Sequence, residues 1–182
     1  METTAARNAE RFMDIPPRIV FVGAHVVPRQ PPRETVGSLG VTDQGRQSTA
    51  EMQAALDEAM PFGPLLGIEL EHASPAEVRG GLAWSPERCT AGGVLHGGAL
   101  MGLADSLGGF CAFLNLPEGA TGTATVESKT NFFRAVREGH VTAVAKPLHV
   151  GRTFIVVQTD LHDDEGRYVA QVTQTQAVLG RA

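Results

Sequence analysis

Residues 92–114 read Gly92-Gly93-Val94-Leu95-His96-Gly97-Gly98-Ala99-Leu100-Met101-Gly102-Leu103-Ala104-Asp105-Ser106-Leu107-Gly108-Gly109-Phe110-Cys111-Ala112-Phe113-Leu114. From His96 to about Leu116 the chain is apolar on nearly every side, which marks a helix either buried all round or embedded in lipid. Its length approaches that of a membrane span. Asp105 near the middle, the glycine content and the antiparallel strands that follow favour instead a helix enclosed by a curved sheet. Gly98, Gly102, Ser106 and Gly109 or Phe110 fall on one stripe. A glycine inside a helix costs roughly 1 kcal/mol relative to alanine, so its repetition predicts a second backbone in close approach.

Asp105 has no Lys or Arg within a helical turn. An unpaired carboxylate buried there would cost several kcal/mol or raise its own pKa. It either points into solvent or lines a pocket, and the apolar flanks favour the pocket. The helix start, Gly92 to Gly98, offers backbone N–H groups with no side chains in front of them. Such an end suits a phosphate or the oxyanion of an acyl-transfer intermediate. The spacings of phosphate-binding loops are absent from the sequence. His96 reads equally well as a helix cap and as a site residue.

Distance connects the two features. Gly97 and Asp105 lie eight residues apart, roughly 12 Å along a helix at 1.5 Å per residue. One helix cannot bring both groups to a single reacting carbon. If both act, they come from two chains across a two-fold axis, which implies an obligate homodimer with shared sites.

Outward from the helix the pattern is regular. Glu51–Met60 reads as a short helix ending at Pro61, and Leu65–Glu71 and Glu77–Trp84 as strands with a turn at Ser74 and Pro75. A glycine-rich loop, Ser85–Leu95, leads into the long helix. Four strands follow: Thr121–Phe133, His140–Val150, Thr153–Leu161 and Tyr168–Leu179. In the first, Ala124, Val126, Ser128, Thr130 and Phe132 alternate with Thr123, Thr125, Glu127, Lys129 and Asn131, which predicts one apolar and one wet face. The acid-rich tip His162–Arg167 lacks calcium-loop spacing and reads as a hairpin turn. The class is α+β, a curved antiparallel sheet around one long central helix. Residues 1–50 hold five of the 11 prolines and one apolar run, Ile19–Val27. They read as an irregular extension, with the domain spanning 51–182.

A net charge of -5 argues against a partner recognised through a nucleic-acid backbone. Cys89 and Cys111 show neither Cys-x-x-Cys nor metal-ligand spacing, so no metal or other cofactor is expected, and a reduced, cytoplasmic setting is. Met1–Glu10 carries no apolar core of a secretory signal. Neither Gly-x-Ser-x-Gly nor His-Glu-x-x-His occurs, which removes the usual serine- and zinc-hydrolase signatures.

His96-Gly97-Gly98 with the acid at 105 resembles the hotdog-fold acyl-CoA thioesterases, in the branch of the phenylacetate-pathway and 4-hydroxybenzoyl-CoA enzymes. The resemblance covers roughly Leu65 to Leu179. It extends to Glu127-Ser128-Lys129-Thr130-Asn131-Phe132-Phe133-Arg134 and Val150-Gly151-Arg152-Thr153. It implies hydrolysis of an acyl- or aroyl-CoA thioester by a homodimer or a dimer of dimers. Gly97 would supply the oxyanion amide, Asp105 of the partner chain would be nucleophile or general base, and His96 would orient the carbonyl or hold the loop. On the substrate side it implies Thr90, Gly98, Ser106, Thr125, Arg134 and Arg152, the arginines reaching nucleotide phosphates. Two positions depart from the family pattern. Thr90 stands where Asn or Gln is usual, and Gly109 where Ser or Thr is usual, with Ser106 as a partial substitute. These departures leave a non-catalytic acyl-CoA-binding module as the alternative.

Overall fold

A computed structural model of the chain describes residues 48–180. The Ile19–Val27 run and the rest of the expected extension up to residue 47 lie outside the described residues. Helix α1 (Thr49–Ala59) starts at a reciprocal cap: Ser48 accepts from the Glu51 amide, and the Glu51 carboxylate accepts from the Ser48 amide. The expected boundary at residue 50 therefore falls inside the first turn of this helix.

The start of the expected strand Leu65–Glu71 departs from expectation. Phe62–Leu66 is a short helix, α2, and β1 begins only at Glu69 and runs to Ala73. The local reason is Gly67, left-handed at φ 68°. Its amide donates to the Pro64 carbonyl at 3.0 Å, and the Ile68 amide to Gly63 at 3.1 Å. This paired closure terminates a helix and needs a residue free to take positive φ. Beyond it, the expected turn at Ser74 and Pro75 joins β1 to β2 (Val78–Ala83).

Two short 3₁₀ turns, Pro86–Arg88 and Ala91–Gly93, deliver the chain to α3 (Gly97–Leu114). Then follow β3 (Gly122–Phe132), β4 (His140–Val150), β5 (Phe154–His162) and β6 (Tyr168–Leu179). The strands form one antiparallel sheet in the order β1-β2-β4-β5-β6-β3. It wraps α3, which packs against β2 through β6. This is the hotdog arrangement that the resemblance implies.

The helix is long and apolar enough to cross a membrane by length and composition. However, 13 of its 18 residues are buried within this chain, so it serves as the core. Leu103, Leu107 and Phe110 share one buried cluster with Leu82, Ile155, Val157 and Leu161. Each fully buried side chain of this size contributes about 1.5–3 kcal/mol relative to exposure. At the far end Asn115 donates to the carbonyls of Pro75 and Cys111, both at 2.8 Å, tying the helix C-terminus to the β1–β2 turn.

Two expectations about packing change. The neighbours of the helix glycines are side chains rather than a second backbone: a Cβ at Gly102 would meet Leu66 and Phe62, and one at Gly108 would meet Gln174. Close backbone approach occurs instead in β2, where a Cβ at Gly80 would strike the Glu69 carbonyl oxygen of β1. The alternation along β3 is likewise broken, by an irregularity between Thr125 and Glu127. Of its apolar members, Val126 at 60% and Phe132 at 52% stay exposed in the single chain, and β3 is an edge strand.

Gly80→Ala should lower stability by about 1–3 kcal/mol, since β1 can retreat only by breaking its pairing with β2. The measurement is the denaturant midpoint, which should fall without a change in slope.

Candidate active site

Asp105 projects from the middle of α3 toward β3 and β6. Thr125 Oγ1 donates to its Oδ1 at 3.2 Å, and Gln174 Nε2 donates to the same oxygen at 3.3 Å. Gln176 Nε2 in turn donates to Thr125 Oγ1 at 2.8 Å. Among the described residues nothing donates to Oδ2. Asp105 is exposed in the single chain, yet the packing around its carboxyl desolvates it enough to raise it above the ordinary aspartate range, and the hydrogen bonds from Thr125 and Gln174 only partly offset this. No cation contributes, so this acid is held by neutral donors alone.

The helix start has its own architecture. Gly92 and Gly93 take positive φ, 74° and 69°, and turn the loop sharply. Trp84 Nε1 donates to the Gly93 carbonyl at 3.0 Å and Arg137 Nη1 to the Gly92 carbonyl at 2.7 Å, bracing it. His96 is the N-cap: its Nδ1 accepts from the Gly98 amide at 2.8 Å. That bond leaves the proton of a neutral imidazole on Nε2. The His96 amide itself donates to the Arg88 carbonyl. Between these two engaged amides lies that of Gly97, for which the described residues supply no acceptor. Of the two glycines expected at the site, Gly97 is the free donor and Gly98 is committed to the cap.

Helix α3 runs unbroken from Gly97 to Leu114. The roughly 12 Å of axis between the Gly97 amide and Asp105 therefore stands. Their surroundings differ accordingly. Gly97 lies under the Phe132 ring at one end of β3, whereas Asp105 meets Thr125 nearer the other end.

The arginines divide the same way. The Arg134 amide donates to the Val169 carbonyl, while Val178 donates to Thr153, the neighbour of Arg152. Those two anchor points lie nine residue steps apart along β6, roughly 30 Å at 3.3 Å each. One chain thus does not gather both arginines around one nucleotide. Ser106 is buried on another face of α3 from the acid, since adjacent helical residues do not face the same side. Thr90 is exposed, its side chain makes no capping bond, and its amide donates to Val94.

Two residues were missed in the sequence, Gln174 and Gln176. They are 0% and 1% exposed, and each leaves its carbonyl oxygen unpartnered. An unsatisfied buried acceptor costs about 1–3 kcal/mol, so their presence is itself informative. The signal was available in Val172-Thr173-Gln174-Thr175-Gln176-Ala177-Val178, where both glutamines share the inward phase of Val172. Cys111 is no competing nucleophile, since burial pushes its thiol up to about 12.

The raised pKa of Asp105 has a stability consequence. Its folded form holds the proton more tightly than the unfolded chain does, so ionisation above that range opposes folding. Asp105→Asn should therefore melt above the wild-type protein at pH 7. The gap should close as pH falls below the ordinary aspartate pKa, about 3.9. Thermal melts at pH 7 and pH 3.5 measure both ends.

The thioesterase superfamily profile matches residues 92–170. The chain is 33% identical over 134 residues to the 1,4-dihydroxy-2-naphthoyl-CoA hydrolase of Escherichia coli K12, covering 74% of this chain and 97% of that protein. A mutant thioesterase of Pseudomonas aeruginosa superposes with a TM-score of 0.68 at 30% identity, over 74% of this chain and 96% of that one. A thioesterase of Haemophilus influenzae reaches the same TM-score at 26% identity, over 74% and 92%. With this fold, this helix start and this acid, the chain belongs to the thioesterase superfamily and is a thioester hydrolase of the hotdog fold.

Proposed function

We propose that the protein hydrolyses an acyl- or aroyl-CoA thioester in two sites, each shared by the two chains of a homodimer. The observation that carries this reading is the pair of uncommitted groups on one unbroken helix, the Gly97 amide and Asp105 Oδ2. A reacting carbonyl needs both within about 3–3.5 Å, and one chain holds them far apart. The similarity to a dihydroxynaphthoyl-CoA hydrolase supports CoA as the carrier and favours an aromatic acyl group.

The edge of the sheet supports the dimer. β3 is an 11-residue edge strand with exposed Val126 and Phe132, and Phe133 follows it at 58% exposure. A long apolar edge left open invites pairing. Two copies meeting antiparallel along β3 would bring the Gly97 end of one chain to the Asp105 end of the other. Arg134 travels with Gly97 and Arg152 with Asp105, so the same operation draws together two arginines that one chain separates. A nucleotide could then be gripped by Arg152 of one chain and Arg134 of its partner.

In this site Asp105 acts in one of two ways. As general base, Oδ2 takes a proton from water, and the hydroxyl oxygen bonds to the carbonyl carbon. As nucleophile, Oδ2 bonds to that carbon itself, and water later opens the anhydride. In both cases the carbonyl electron pair moves onto oxygen, where the Gly97 amide of the other chain stabilises it. Collapse breaks the C–S bond and expels a thiolate. A thiol pKa near 8.5 makes that departure easy without a strong acid. His96 contributes by holding the helix start so that the Gly97 amide faces outward.

Gly97 is the first helical residue and His96 before it is extended (φ -65°, ψ 134°), both of which suit proline at 97. Gly97→Pro thus removes the amide hydrogen at the cost of a small shift of the Phe132 ring. Mixing two inactive proteins, Gly97→Pro and Asp105→Asn, should restore up to about a quarter of wild-type turnover, since half of random dimers are mixed and each has one intact site. No recovery in verified mixed dimers would refute shared sites.

Arg134→Ala and Arg152→Ala should each raise KM for the CoA thioester about tenfold and leave a pantetheine thioester unaffected. Equal changes with both substrates would assign these arginines to structure alone.

A further inference from the structure

We propose that Gln174 and Gln176 are positioning residues for Asp105, which hold its carboxylate by Oδ1, directly and through Thr125, and so present Oδ2 to the thioester. The proposal rests on Asp105 being the reacting acid, as set out above.

Geometry carries it. Both donors that reach Asp105 converge on one oxygen, Gln174 Nε2 at 3.3 Å and Thr125 Oγ1 at 3.2 Å. A carboxylate pinned by one oxygen keeps the other in a defined place. Thr125 has a single hydroxyl proton, and its oxygen already accepts from Gln176 Nε2 at 2.8 Å. That acceptance directs the proton of Thr125 toward Asp105. Gln176 therefore acts one bond removed, by setting the sense of the Thr125 hydroxyl.

The amides have no comparable alternative orientation. Turning Gln174 over would set its carbonyl oxygen against the carboxylate. Neither glutamine can swing into solvent, as both are buried. Their carbonyl oxygens lack partners, so the bonds made by the Nε2 groups alone explain the polarity of the site. Room for the pair comes from the helix. Gly108 leaves the space that the Gln174 amide fills, and a Cβ at Gly109 would lie 4.0 Å from Gln176 Nε2. Two successive helical glycines thus face two alternate strand glutamines. With no hydroxyl on the helix at 109, the donors for the acid come from β3 and β6.

The groups packed around Asp105 are neutral: Thr125 from β3 and Gln174 and Gln176 from β6. Among the described residues no charged side chain shifts its titration. Losing a donor to the ionised form should therefore move the acid limb of the rate profile upward in pH.

The test compares Gln174→Met and Gln176→Met, which keep length and volume but donate nothing, with Thr125→Val and Thr125→Ser. Each protein is checked for folding by its melting transition and assayed with an aroyl-CoA thioester across pH 4–9. Gln174→Met and Gln176→Met should lower kcat about tenfold or more with KM within about twofold. Gln174→Met should also shift the acid limb of kcat/KM to higher pH. Thr125→Val should resemble Gln176→Met, and Thr125→Ser should recover most of the activity. Wild-type kcat and pH profile in folded Gln174→Met and Gln176→Met would overturn the proposal. Should either glutamine variant fail to fold, a wild-type profile in Thr125→Val would overturn it instead. Asp105→Asn serves as the separate control: if it is inactive while these variants are normal, only the positioning role fails. If Asp105→Asn is itself active, the assignment of the acid falls.

Discussion

A carboxylate on a helix that is otherwise almost wholly apolar, with no cation to pair with among the described residues, is the constraint on which this structure turns. Asp105 is exposed in the single chain, so water reaches it, but the protein also supplies donors of its own. It does so with neutral groups. Thr125 and Gln174 reach the same oxygen, and Gln176 supports Thr125 from behind. Neutral donors stabilise the ionised form less than an arginine would. The carboxyl accordingly remains raised, a condition suited to a group that must gain and release a proton. The glycines at 108 and 109 are part of the same solution, because the helix surface has to recede where the glutamines stand.

The N-terminal end of α3 solves a different problem with the same economy of parts. A helix start leaves several amides without intrahelical partners. His96 takes the Gly98 amide and Arg88 takes that of His96, so the unclaimed donor narrows to Gly97. The His96 cap and the freedom of the Gly97 amide are therefore one arrangement, and the capping reading of His96 is the one the structure displays. Because the helix is unbroken, the Gly97 amide and Asp105 stay apart. The edge strand β3 runs past both, bringing Phe132 to Gly97 and Thr125 to Asp105. This single strand links the two halves of the proposed shared site and offers the open edge along which a second chain would bind.

Much of the architecture was legible because it is written in local, repeating physics. The long helix, the turn at Ser74 and Pro75, and the spans of β4 and β6 follow from apolar periodicity and turn chemistry. The reading failed at Leu65–Glu71, where the left-handed Gly67 closes a helical turn inside an apolar run. It also failed on the helix glycines. Glycine announces that something comes close, yet nothing in the residue says whether the neighbour is a backbone or a side chain. Here the neighbours were Leu66, Phe62 and Gln174, contributed by distant parts of the chain.

By itself the sequence determined that a mostly apolar helix would be sheathed by antiparallel strands, that Asp105 would stand out upon it, and that Gly97 and Asp105 would lie too far apart to share one reacting atom. These depend on residue spacing along one element, and helical rise converts spacing into distance without further information. Tertiary structure decided which amide remains free, which oxygen of Asp105 is pinned, and that Arg134 and Arg152 sit at opposite ends of the sheet. It also decided that Gln174 and Gln176, unremarkable in a β-strand, lie buried beneath the acid. Those facts depend on the register between β3, β5 and β6 and on which strand faces α3. Register is set by the packing of the whole sheet against the helix, a collective property that no short stretch of chain contains.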